Sequence, residues 1–158
     1  MFVVRDCEHV NAPMERCFRL STHLDLVAGV LGMKAVAGNG AKTEGLIGAG
    51  EHVVWYGWKF GLPHMHESRI TAFEEPTFFQ DSMERGRFKW FQNDHQFSEV
   101  DGHTLMVDHI RFSMPLGPIG RLVGQQVVMP HVVKLLRARL LLVKRLAEGD
   151  GWRQYLGD

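Results

Sequence analysis

Two periods divide the chain. From Glu51 to Met114 apolar and polar residues alternate in long runs, and from Pro118 to Leu146 apolar residues return every three or four positions. Alternation predicts strands over 51–60, 64–74, 77–84, 88–100 and 103–114, because successive side chains of a strand face opposite ways. Turn residues separate them: Gly61 and Pro63, Glu75-Pro76, Arg85-Gly86-Arg87 and Asp101-Gly102. The later period predicts a long amphipathic helix. Leu122, Met129, Val132, Val133, Leu136, Leu140, Val143 and Ala147 share one face at 100° per residue. Lys134, Lys144, Arg145 and Glu148 fall opposite, and Pro130 predicts a bend, since it lacks an N–H and crowds the preceding turn. Such a helix needs an apolar surface to lie against.

The N-terminal third is patterned more weakly. Residues 2–10 read as a strand, and Asn11-Ala12-Pro13-Met14-Glu15 starts a helix with a polar cap and a first-turn proline. Short helices are expected through Arg19 and from Thr22 to Val30, then a short strand near Met33–Ala37. The glycine-rich segment Gly38–Gly50 reads as a mobile loop.

Asp101-Gly102 fixes a register, because Asp-Gly between alternating strands favours a two-residue hairpin. Val100 then faces His103, Phe97 faces Met106, His95 faces Asp108, Asn93 faces Ile110 and Phe91 faces Phe112. This face is mostly apolar, whereas the opposite one carries Gln92, Asp94, Gln96, His109 and Arg111 and is expected to meet water. A three-residue turn at Arg85–Arg87 adds Phe79, Asp81 and Met83 to the inner face. A two-residue turn at Glu75-Pro76 adds His66, Ser68, Ile70 and Ala72.

Composition narrows the function. The 158 residues suit one domain, 1–158, and 45% hydrophobic with 23% charged residues is ordinary for a globular protein. Zero net charge gives no electrostatic case for nucleic acid or an anionic membrane. Lys134, Arg137, Lys144 and Arg145 read as a solvated helix face. Two cysteines frame no disulfide scaffold, there is no signal-peptide pattern, and no apolar run reaches the roughly 18 residues of a membrane span. A cytoplasmic location is the expectation, and the pattern specifies no oligomeric state. Elbow, Walker and dinucleotide motifs are missing, so no cofactor is expected. His64, His66 and His95 raise the question of a metal, but the strand order does not bring His95 to the others, so none is expected.

The order of strand, two short helices, antiparallel meander and long terminal helix resembles the helix-grip fold of START-like, Bet v 1-like proteins (the SRPBCC superfamily), which include polyketide cyclases and dehydrases. Pro13-x-Glu15 with Cys17-Phe18 is similar to the family's helix start. Gly61-Leu62-Pro63, Ser68-x-Ile70, Pro76-x-x-Phe79-x-Asp81, Gly86-x-Phe88 and Phe91-x-Asn93-x-His95-x-Phe97 resemble its central strands. Thr104-x3-Asp108-x-Ile110-x-Phe112-x-Met114-Pro115 is similar to the next strand, and Leu136-x-x-Arg139 to an arginine of the last helix. Asn93 stands where the family often has an imidazole, His66 where it often has an indole, and Arg87 where it often has proline. The resemblance implies an α+β fold: a curved antiparallel sheet of about six to seven strands wrapped around the C-terminal helix.

It also implies a ligand void between sheet and helix. Phe79, Met83, Phe91, Phe97, Met106, Ile110, Phe112 and Met114 would line it with Leu136 and Leu140, unless those side chains simply fill the core. Polar groups join them: His66, Ser68, Asp81 and Asn93. His95 and Asp108 are expected about 5 Å apart at Cβ as cross-strand neighbours, with Arg139 in reach of Asp108 or Asp81. Either His95 is a general base oriented by Asp108, with Arg139 holding a ligand carbonyl or carboxylate, or the three form a satisfied buried network. Three functions stay open: binding of an apolar or aromatic small molecule, a cyclase or dehydratase reaction in the same cavity, or regulation through a protein partner.

Overall fold

The computed structural model describes residues 1–157. Seven antiparallel strands form one sheet in the order β1-β7-β6-β5-β4-β3-β2. They are β1 (Phe2–Val10), β2 (Lys34–Val36), β3 (His52–Lys59), β4 (Leu62–Glu74), β5 (Phe78–Arg85), β6 (Trp90–Val100) and β7 (His103–Ser113). Helices α1 (Met14–Ser21) and α2 (Leu24–Leu31) follow β1. At the C-terminus α3 (Gly117–Val123), a π-helical turn (Gly124–Val128) and α4 (Met129–Glu148) run on without a break, before a last turn α5 (Arg153–Leu156) that the sequence pattern did not announce. No helix is long and apolar enough to cross a membrane among the described residues.

The β6–β7 hairpin has the register expected from Asp101-Gly102, from Val100 opposite His103 to Phe91 opposite Phe112. Both turn residues have positive φ, 53° and 79°, as a two-residue hairpin of this hand requires. Two other connections differ from expectation. Glu74 pairs with Phe78 across a three-residue loop, so Phe73 rather than Ala72 faces inward beside Phe79. A bulge between Ile70 and Ala72 then restores Ile70 and Ser68 to the inner face, opposite Asp81 and Met83. Period two makes such a one-residue shift decisive for facing. Between β5 and β6 the loop spans four residues, yet Phe79 and Asp81 keep their facing, opposite His95 and Asn93.

The terminal helix handles its proline differently from the expected bend. Pro130 has no N–H to donate, and the ladder widens ahead of it, with the Met129 N–H reaching Gly124 O. Residues upstream of this extra length are rotated relative to a 100° projection. Leu122 therefore lies 60% exposed, although the projection placed it on the buried face. Val133 is also exposed, while Val132, Leu136, Leu140, Val143 and Ala147 are buried as the pattern requires. Close approach demands glycine here: a Cβ on Gly124 would stand 2.6 Å from the Phe2 ring, and one on Gly120 would stand 1.6 Å from Pro115 O. The helix is clamped to β1 by charge. Arg137 pairs with Glu8 at 2.6 Å and Asp6 at 3.3 Å, and Lys144 donates to His9 O at 2.6 Å. These two side chains are thus not the freely solvated cations that spacing alone suggested.

Gly38–Gly50, expected as a mobile loop, is pinned at its far end. The Leu24 N–H donates to Gly45 O at 2.8 Å, the Ile47 N–H donates to Thr22 O at 3.0 Å, and Ile47 is buried. The space between sheet and helix is therefore closed differently at its two ends. At one end Phe18 of α1 packs edge-on against Phe73, Phe79 and Phe97, with ring centroids 5.3, 5.4 and 5.3 Å away. Such contacts contribute about 0.5–1.5 kcal/mol each beyond area burial. The other end stays open.

Candidate functional site

The opening leads into a cavity of about 430 Å³ bounded by the inner face of the sheet, α2 and the terminal helix. Most of its wall is apolar: Val53 and Trp55 from β3, Ile70, Ile110, Val27 and Leu31, with Val128, Val132, Leu135 and Leu136 from the helix side. Sheet periodicity sets this lining. Trp55 pairs with His66 and Val53 with Ser68, so these four point the same way, and Asn93 opposite Ile110 continues the face.

The site residues expected from sequence divide into two sets. His66, Ser68, Phe79, Asp81, Phe91, Asn93, His95, Ile110, Met114, Leu136 and Arg139 line the cavity. Met83, Phe97, Met106, Phe112, Leu140 and Asp108 do not. Phe97 lies under the Phe18 plug, and Phe112 is covered by Phe2, Phe88 and Phe91 with centroids 5.0, 5.3 and 6.3 Å away. Met83 packs at Gly86 near the His66 imidazole. Met106 and Leu140 belong to the filled core. Sharing the inner sheet face is thus not sufficient for lining the cavity: Phe97 and Phe112 are covered by neighbouring rings, whereas Phe79 touches Phe18 and still lines it.

A charge cluster forms the inner pole of the cavity. His95, 1% exposed, lies between two carboxylates: Nδ1 is 3.1 Å from Asp108 Oδ1 and Nε2 is 2.8 Å from Asp81 Oδ2. Arg139 Nη1 donates to Asp108 Oδ2 at 2.9 Å, and Nη2 donates to Ser21 O at 3.1 Å. Ser68 Oγ donates to Asp81 Oδ1 at 3.3 Å. Arg139 Nη1 also approaches His95 Nδ1 to 2.8 Å, which fits a hydrogen bond only if that nitrogen is bare. A bare Nδ1 would face the Asp108 carboxylate lone pairs and leave two carboxylates against one cation in a buried site. An imidazolium balances two negative with two positive charges and gives both ring N–H groups a carboxylate acceptor, so charge balance favours the protonated form of His95 over the tautomer that would accept from Arg139.

The titration directions agree. Burial and the Arg139 charge push the His95 pKa down, but the Asp108 charge and the hydrogen bonds to Asp108 and Asp81 outweigh them, and it lies above the usual histidine value. Burial works to raise the Asp108 pKa, and the His95 and Arg139 charges overcome it, holding the carboxyl below the usual range. Phe79 stacks on the imidazolium at 4.0 Å between centroids and 13° between planes. Asn93 Oδ1, buried without a partner among the described residues, is an acceptor left available on the wall.

The outer pole lies at the rim and was not among the expected site residues. Lys59, His64, Arg87 and His131 line the same cavity around the half-exposed Phe60 ring, whose centroid is 6.4 Å from His64 and 5.0 Å from His131. Lys59 Nζ donates to Leu31 O, and Arg87 Nη2 donates to Pro63 O at 2.7 Å. His64 Nδ1 and His131 Nε2 are buried atoms with no hydrogen-bond partner among the described residues. Burial first, then Arg87, Lys59 and His131, push the His64 pKa down; burial, Lys59 and Lys134 do the same to His131. Burial also lowers Lys59. Sequence could have reached this group by continuing the register through Phe60-Gly61: Lys59 pairs with Leu62, and period two then aligns His64 with His66 and Ser68.

His66, edge-on to Phe91 at 5.4 Å and Phe88 at 6.1 Å, has its pKa lowered chiefly by burial. Among the described residues no group of three or more His, Cys, Asp or Glu side chains could hold a metal ion. Cys17 is fully buried, and burial pushes its thiol up to about 11, which makes it a poor nucleophile.

No protein-family model and no curated protein matches the sequence. Solved structures do match the fold. The protein TTHA0849 from Thermus thermophilus is 20% identical over 90% of this chain and 97% of its own, with a TM-score of 0.66. Ara h 8.0201 is 16% identical over 90% and 97%, with a TM-score of 0.61. The major latex-like protein 151 of Panax ginseng is 12% identical over 84% and 95%, with a TM-score of 0.53. At such identities the likeness concerns the backbone architecture. The chain has the helix-grip fold of Bet v 1-like and START-like proteins.

Proposed function

We propose that the protein binds an apolar or aromatic small molecule in the space between the sheet and the C-terminal helix. The observation that carries this reading is the open, largely apolar cavity of about 430 Å³, which aromatic and methionine side chains do not fill. Its volume falls in the range of about 300–1,000 Å³ typical of small-molecule sites, which combine apolar walls with a few fixed polar groups. Here those groups are Asn93, Ser68 and the Asp81–His95 pair at the inner pole. The fold shared with Bet v 1-like structures supports the reading at the level of architecture.

The enzymatic alternative asks His95 to act as a general base. A base needs a free lone pair and a pKa near the working pH. Both ring nitrogens of His95 are taken up by carboxylates, and its pKa is raised. That geometry favours an architectural part in the cavity wall.

Native mass spectrometry of protein purified from its source tests the binding reading. An extra small-molecule mass that disappears on denaturation is expected. Leu135→Trp, which places an indole on the cavity wall, is expected to remove that mass while the melting transition stays cooperative. Protein that never carries a ligand, and takes up no apolar probe in titration, would refute the reading.

A further inference from the structure

Among the described residues the cavity rim carries four basic side chains and no acid. Asp81 is the only carboxylate they place on the cavity wall, and Ser68 and His95 already occupy its oxygens at the inner pole. Lys59 and Arg87 each give one hydrogen bond to a backbone carbonyl, which leaves their charges uncompensated. His64 Nδ1 and His131 Nε2 have no partner among the described residues, although both atoms are shielded from solvent. Leaving such a buried atom unpaired is unfavourable. Among the described residues the buried Asp108 is matched by Arg139 and His95, and Glu67 by Arg85 at 2.7 Å. The rim differs: its cations gather around two unpartnered imidazole nitrogens, without a carboxylate beside them, on the wall of the cavity.

Resting on the binding reading above, we propose that the ligand is an amphipathic acid. Its apolar body fills the cavity, and its carboxylate lies at the rim among Arg87, His64, His131 and Lys59. The arginine supplies a planar pair of donors suited to a carboxylate. Each histidine can donate from its unpartnered ring nitrogen, and the acid's negative charge offsets the repulsion that opposes protonation. Phe60, edge-on to both imidazoles, would cover the ligand's neck. The inner pole selects differently: its two carboxylates are already paired with Arg139 and His95, and the Asn93 Oδ1 acceptor, unpartnered among the described residues, suits a donor group of the ligand.

The test uses matched probes on the full chain by titration calorimetry: decanoic acid against decanol and decylamine, and naphthoic acid against naphthol. Wild-type protein is expected to bind each acid at least tenfold more tightly than its alcohol, and the amine least of all. The double variant Arg87→Gln/His64→Gln is expected to lose that preference by tenfold or more while keeping its affinity for the alcohols. Equal binding of acid and alcohol by the wild type overturns the charge preference and leaves the cavity reading standing. Equal loss of both by the double variant overturns it too, because the rim would then shape the cavity rather than read charge. Failure of every probe to bind overturns the cavity reading and this inference with it.

Discussion

At the sheet's centre Asp81, His95, Asp108 and Arg139 bring two carboxylates and two cations into contact. At the rim Lys59, His64, Arg87 and His131 bring four basic groups together, with no carboxylate among the described residues there. Both sets line or support one cavity, and both contain imidazoles perturbed by burial. The imidazoles respond in opposite directions: the pKa of His95 is raised, whereas those of His64 and His131 are lowered. Burial alone disfavours the charged form of any histidine, so the sign is decided by the neighbours. At the inner pole the charges are matched without a ligand. At the rim they are not, and in the proposed site that asymmetry makes the rim the part that reads a ligand's charge.

The largest expected effect comes from opening the charge-matched pole. Asp108→Ala would leave Arg139 and His95 buried against one another without their shared carboxylate. Removing one partner of a buried pair typically costs about 3–5 kcal/mol. Urea unfolding at neutral pH should show a loss of that size, with an unchanged slope against denaturant. A cost below about 1 kcal/mol would mean that water or a shifted side chain replaces the carboxylate, and the cluster would not be the coupled unit described. A second large effect tests the aromatic plug. Phe18→Ala deletes a ring that touches three others, and the expected cost is about 3–5 kcal/mol. Because the plug closes one end of the space, this variant should also take up larger apolar probes than the wild type.

Proton linkage separates the poles at intermediate size. His95 holds its proton more tightly in the folded chain than in the unfolded one. Its contribution to stability is therefore complete below about pH 6.5, the unfolded value, and is lost as pH rises through the folded value. His64 and His131 bind protons less readily when folded, as does His66, so their effect runs the other way. They cost stability as pH falls from about 6.5 through their folded values. The groups facing His64 are Arg87, Lys59 and His131, those facing His131 are Lys59 and Lys134, and those facing His66 are Asp81 and His64. Unfolding free energies measured across this range should decline on the alkaline side in the wild type and much less in His95→Gln. On the acid side the slope should be shallower in His64→Gln/His131→Gln. An alkaline decline that survives His95→Gln would remove the assignment of an imidazolium at the inner pole.

The inner pole was legible in the chain, and the rim was not. Asp101-Gly102 fixed the β6–β7 pairing, and that pairing alone set His95 opposite Asp108; the helical arc then carried Arg139 to the same place. Local turn chemistry gave long-range contact because strand registry propagates without error between bulges. Beyond the β4–β5 bulge it does not propagate. The outward parity at Ala72 and the inward turn of Phe73 depend on an unpaired residue that sequence alternation conceals. The rim needed three such steps, across β5, β4 and β3, together with a helix residue whose azimuth follows the π turn before Pro130. Charge composition gave no help, since the net charge of zero averages a basic rim against acids elsewhere.

The smallest expected effect is also the one that most sharpens the contrast. Arg87→Gln removes one charge from a cluster without a counter-charge among the described residues and keeps a side chain able to donate to Pro63 O. Arg87 is exposed, so solvent screens its repulsion of His64, and the ligand-free stability should change by no more than about 0.5 kcal/mol, in the stabilising direction if at all. The same substitution should raise the His64 pKa, because one of the charges that lowers it is gone; proton NMR titration of the imidazole reads this directly. A destabilisation above about 1 kcal/mol would show that Arg87 already has a structural partner, and the rim would then be a charge-matched pole like the inner one. A neutral or slightly stabilised protein with a raised His64 pKa is what a charge held in readiness for an anion predicts.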